Sequence, residues 1–170
     1  PGNMSVAFQI LMPGYDYDLA HAGKGPSDGW MFFTSYNSEE EHTLLEINAS
    51  RRDKDFIAAV NYRRAEACIA DGAGRTMSAR YAHNYIDDRH IAVSEMMSDV
   101  RVIEPTDCSD LVYFLPTPKS PHGVDVDPSG EYIAAGGKLA TVIPVHSFSK
   151  MRSEEHTSEL QSRPHISYAV

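Results

Sequence analysis

The chain has 170 residues, 42% of them hydrophobic, and a formal charge of −9, enough for one ordinary domain with a real core. Its longest apolar runs, "FIAAV" and "YIAAGG", are far short of the roughly 20 residues that cross a bilayer. The acidic balance excludes a general nucleic-acid binder, which needs clustered Lys and Arg to displace counterions; Arg51, Arg52 and Lys54 are interleaved with Asp53 and Asp55 and read as a solvated mixed-charge turn.

In chain order, "VAFQILM" predicts a short first strand. "MPGYDYDLAHAGKGPSDGW" is rich in Gly, Pro and Asp and predicts a long surface loop. "WMFFTSY" is aromatic and β-favouring, a buried strand. "SEEEHTLLEINA" suits a short helix capped by Ser38, with acids in the first turn where the helix dipole favours them. "DFIAAVNY" reads as a strand, and "RRAEACIADG" as a helix ended by Gly72. Residues 74–110 mix polar, aromatic and Met residues and yield only mixed strand and loop, with a strand at "VRVIE". Beyond Leu111 the pattern sharpens: "LVYFLPTP", "GVDVD", "EYIAAGG" and "LATVIPVHSF" are strands, and "PSG" is a turn. Short antiparallel strands joined by tight turns suit a β-propeller blade or a β-sandwich. No second copy of the hairpin demonstrates a repeat.

Cys68 and Cys108 lack the close spacing of a zinc or redox pair and say little about compartment. No secretion signal is visible, and because the chain begins at Pro1 the true start is expected upstream. Among the eight His residues, His21, His42, His83, His90 and His146 have no partner His at helical or strand spacing and read as surface or hydrogen-bonded imidazoles. His122 stands in "PTPKSPHGVDVD", where Pro116, Pro118 and Pro121 stiffen the approach and Gly123 removes a neighbouring side chain. Two readings stay open there, a ligand at the inner end of a blade or a His that caps a loop. "YNSEEEH" and "RRDKDF" offer oxygen donors at Tyr36, Glu39 and Asp53 or Asp55 of the kind calcium prefers, but in no compact calcium-loop spacing. On the residues alone, a solvated acidic helix start is the favoured reading.

The motifs "LMPGYDYDLAHAGKGPSDGW", "FFTSYNSE", "NASRRDKDFIAAVNY" and "YFLPTPKSPHGVDVDPSGEYIAAGGKLATVIPVHSFSKM" together resemble an internal piece of the nitrous-oxide reductase family, nearer its second branch. The resemblance implies a mostly-β fold for residues 1–151: about two to three blades of an incomplete seven-bladed β-propeller, with long loops and short helices. It also implies a periplasmic, denitrification-linked homodimer that reduces nitrous oxide with electrons from a cytochrome or cupredoxin. A copper–sulfide cluster held by seven His would sit at the propeller hub, and a dicopper centre in a further domain. By motif, His122 in "SPHG" matches one cluster ligand, its second ring nitrogen oriented by an outer-shell acceptor. Tyr36, Glu39 and Asp55 match calcium ligands. Ser120 departs from the Asn that often supplies calcium in the classical branch, which leaves its role as a ligand in doubt. The family's paired His motif, its other four cluster His and its close Cys pair are not in this chain. One imidazole cannot hold a tetranuclear cluster, so the chain alone is expected to be inactive. The alternative is a propeller-type binding or structural module without redox activity.

The closing stretch, "RSEEHTSELQSRPHISYAV", residues 152–170, has neither helical nor alternating apolar pattern. It resembles an in-frame translation of a common short-read sequencing adapter and its index, and is expected to be a disordered artefact. That removes His156 and His165 from the search for metal ligands.

Overall fold

The computed structural model describes residues 6–12, 16–36, 55–77, 100–118, 121–137 and 141–154. The described chain is mostly β, in three sheets with a few short helices, consistent with part of a propeller. It divides into two compact units, residues 1–12 with 63–111, and residues 13–62 with 112–170. The expected helix at 38–49 lies outside the described residues.

In the first unit, β1 (Phe8–Ile10) pairs in parallel with β6 (Val100–Ile103), which pairs antiparallel with β5 (Arg75–Met77). Val100 and Val102 alternate inward and pack with Val6 and Leu11. Helix α1 (Tyr62–Ala70) buries Ala65 and Cys68 at the expected i, i+3 spacing. It ends where the sequence predicts: Gly72 adopts φ 96°, its N–H bonds the Ile69 carbonyl, and Ala73 N–H bonds the Cys68 carbonyl, a Schellman closure. Cys68 and Cys108 form a disulfide, their Cα atoms 6.2 Å apart. Spacing alone gave no hint of it.

The second unit stacks two sheets. One has the order β2 (Asp16–Ala22), β3 (Trp30–Tyr36), β4 (Phe56–Asn61), β7 (Val112–Pro116), and the other β10 (Val145–Ser147), β9 (Tyr132–Gly137), β8 (Pro121–Val126), all antiparallel. Along β3, Trp30, Phe32 and Thr34 alternate into the core, as a strand's period of two requires. β4 lies between two strands, and its run Ile57–Val60 is buried on both faces. Leu115, Val124, Val126, Ile133 and Ala135 close the core from the other strands. Burying a side chain such as Phe32 contributes about 1.5–3 kcal/mol.

Two expectations are corrected. The Gly- and Asp-rich stretch before Trp30 is not all loop: Asp16–Ala22 forms the edge strand β2, because tertiary pairing with β3 outweighs local turn propensity. "LATVIPVHSF" is not one strand. Among its described residues only Val145–Ser147 pairs, while Val142 and Ile143 are exposed before it. The chain then enters helix α2 (Phe148–Glu154), and Glu131 accepts from Ser149 N–H and from the Ser147 and Ser149 hydroxyls at its start. Phe148 packs edge-on against Trp30 at 5.4 Å. Within the helix, Arg152 lies over the Trp30 and Tyr113 rings and donates to the Tyr113 hydroxyl.

The "DPSG" turn is confirmed in detail. Gly130 N–H bonds the Asp127 carbonyl, and the Asp127 carboxylate accepts from Ser129 and from Tyr132 N–H. Gly130 has φ 79°, and a Cβ there would run into the Lys24 carbonyl, so both conformation and space demand glycine.

Candidate functional site

His122 is the second residue of β8, and its pairing with β9 explains why it stands apart. Pro121 pairs with Gly137 and Gly123 with Gly136, so β8 spends two steps where β9 spends one. His122 is the extra residue of this β-bulge. Bulges bend a strand and re-aim the side chain they carry. The same irregularity occurs on β2, where Tyr17 pairs with Ser35 but Ala20 with Phe33, which places Asp18 and Leu19 in a second bulge.

The two bulges face one another. His122 Nδ1 is in direct contact with Asp18 Oδ2, with 51% of the His side chain and 23% of the Asp side chain exposed. A carboxylate at Nδ1 holds the ring proton there and leaves the Nε2 lone pair outward, the orientation in which imidazoles bind metal. The expected outer-shell acceptor therefore has a candidate in Asp18. Sequence reading placed Asp18 in a loop and so missed it; the repeated acids of "YDYD" were the available signal.

β2 and β8 make a second contact of this type. Val126 N–H donates to His21 Nδ1 at 2.7 Å, and Asp125 Oδ1 lies 3.1 Å from the same nitrogen. One nitrogen cannot accept from the backbone and donate to the carboxylate together. The shorter backbone bond defines the neutral, Nε2-protonated ring. On the opposite seam, His146 of β10 bonds the Pro116 carbonyl with one ring nitrogen, while its Nε2 is buried without a hydrogen-bond partner among the described residues. Burial holds the His146 pKa below the usual imidazole value.

The oxygen-donor residues are only partly visible. Tyr36 is the last residue of β3, described through its backbone, and Asp55 directly precedes β4. Ser35 pairs with Phe56, so Tyr36 and Asp55 come to the same end of the β3–β4 pair. Asp55 is 2% exposed, and its carbonyl accepts from Thr117 N–H. Next to this end, burial raises the Tyr17 pKa. Glu39 and Ser120 lie outside the described residues, as do His42, His83, His90, His156 and His165. Among the described residues there is no group of three or more His, Cys, Asp or Glu that could hold a metal ion. Nor is any helix there long and apolar enough to cross a membrane.

A mostly-β unit with one bulge-presented imidazole and a carboxylate behind it is the frame into which relatives must fit. The chain is similar to nitrous-oxide reductase of Pseudomonas fluorescens, 27% identical over 150 residues, and to that of Stutzerimonas stutzeri, 23% identical over 148 residues. Each match covers 87% of this chain and 20% of the relative, so the chain spans about a fifth of the length of these curated relatives. No family model matches. The relation to nitrous-oxide reductases is distant.

Proposed function

We propose that this chain is part of a copper-dependent nitrous-oxide reductase, in which His122 supplies one imidazole to the catalytic copper–sulfide cluster and Asp18 positions it. The observation that carries this reading is the His122–Asp18 contact, which presents Nε2 outward from a bulge. The similarity over 87% of the chain supports it independently. When bound, the cluster would supply the two electrons that, with two protons, convert nitrous oxide to dinitrogen and water. What the chain itself does is hold a proton at His122 Nδ1 on Asp18 and fix the direction of Nε2. Tyr36, Glu39 and Asp55 would contribute to a calcium site, a reading favoured by the buried Asp55 at the same strand end as Tyr36.

A periplasmic, homodimeric enzyme fed by a cytochrome or cupredoxin follows from the same reading. The Cys68–Cys108 disulfide supports the compartment, since such bonds persist in oxidising surroundings. One imidazole cannot assemble a tetranuclear cluster, so the purified chain is inactive; nitrous-oxide reduction by it would overturn this. Extending the locus both ways tests the enzyme against a binding or structural module. A paired His motif upstream and a close Cys pair downstream support the enzyme, and their absence supports the module. The same sequencing tests residues 152–170 as adapter-derived. A family-like continuation after Met151 is expected, and the same tail from independently prepared DNA would contradict it.

A further inference from the structure

We propose that His21 is a positioning residue that fixes β8 against β2 and so sets the geometry of the His122–Asp18 pair. The proposal takes its functional meaning from the reading of His122 as a ligand, but it stands on contacts that need no metal. Among the described residues β8 pairs with β9 alone and is the edge of its sheet, β2 is likewise an edge paired only with β3, and no ladder joins the two edges. They are joined by His122 to Asp18 and by Val126 N–H to His21 Nδ1. His122 and Val126 are four residues apart, about 13 Å along a strand. A single attachment at the bulge would leave β8 free to pivot about it, and the attachment at Val126 removes that freedom. Each strand gives one imidazole and takes part in one bond at each end, so the direction of β8 is defined by two points.

The His21 contact also satisfies an edge N–H that β9 cannot reach, because Asp127 N–H already turns inward to the Tyr132 carbonyl. It requires an acceptor at His21, not a charge. Asp125, whose side chain is 89% exposed, is the competing partner a protonated ring would take.

The test reads the ring nitrogens of His122 by long-range proton–nitrogen NMR in the metal-free chain. His21→Gln keeps an acceptor within reach of Val126 N–H, and His21→Leu removes it. The parent and His21→Gln are expected to show His122 protonated at Nδ1, and His21→Leu to show a mixture of both tautomers. Retention of the parent pattern in His21→Leu, or equal loss in both variants, would overturn the proposal. Should the leucine variant not fold, His21→Ala, which also lacks an acceptor, replaces it with the same expectation. Amide exchange of Val126 in the unaltered chain is an independent check: protection relative to Val124 is expected, and exchange at the rate of an open strand edge would overturn the bond itself. Failure of copper to bind at His122 would count against the functional reading and leave this measurement untouched.

Discussion

His122 Nδ1 meets the Asp18 carboxylate across two strand edges, and each residue lies in a β-bulge of its own strand. Neither bulge would bring a side chain out on its own sheet's regular pleat; together they form the only His–Asp pair among the described residues whose carboxylate contacts an Nδ1 that no backbone N–H also engages.

Removing the carboxylate should therefore weaken metal binding without removing the ligand. In the full-length protein carrying this segment, Asp18→Ala is expected to lower copper affinity at the His122 site about 10–100-fold, and Asp18→Asn by less, because an amide oxygen still accepts from Nδ1. Copper titration with equal affinity in all three would contradict the positioning role.

Acid should loosen the β8–β9 hairpin. Hydrogen bonds from Tyr132 N–H and Ser129 hold the Asp127 pKa down to about 2, and those from Ser147 and Ser149 lower that of Glu131. Both carboxylates are depressed in the folded state, so their stabilisation is present above the unfolded carboxylate range of about 4 and is lost as pH falls toward 2. Melting curves between pH 5 and 2 should show a falling Tm in the parent and a flatter profile in Asp127→Asn.

His146 acts at higher pH. Its depressed pKa means that the folded state resists the proton, so its contribution is present above about 6.5 and is lost as pH falls through the lower folded value. His146→Gln should flatten the Tm profile below pH 6.5. An unchanged slope would place the acid sensitivity elsewhere.

The disulfide closes a separation of 40 residues, for which loop-closure entropy gives about 4 kcal/mol as an upper expectation. Replacing Cys68 and Cys108 with Ser should destabilise the first unit by about 2–4 kcal/mol in denaturant unfolding. Thiol titration of the oxidised chain should find no free cysteine.

Much of this architecture is legible in local pattern. Trp30–Tyr36, Phe56–Asn61 and Tyr132–Gly137 declare themselves by apolar content, and Gly72 marks its helix end. The site is only half legible. "SPHG" singles out His122, but Asp18 and His21 sit in a segment whose Gly and Asp content reads as loop, and only pairing with β3 makes it a strand. The Cys68–Cys108 bond and the helix after Ser147 depend on contacts between residues distant in sequence, to which local periodicity is blind. Of the expected calcium ligands, Glu39 lies outside the described residues, while Tyr36 and Asp55 come to the same end of the β3–β4 pair.

The central claim is that His122 binds copper through Nε2 in the parent enzyme. Its most direct test is His122→Ala in the full-length protein, with copper content, cluster absorption and nitrous-oxide reduction measured on the same preparation. Loss of cluster copper and of activity, with the dicopper centre and the melting profile retained, is the predicted result. Full cluster copper and undiminished reduction would contradict it.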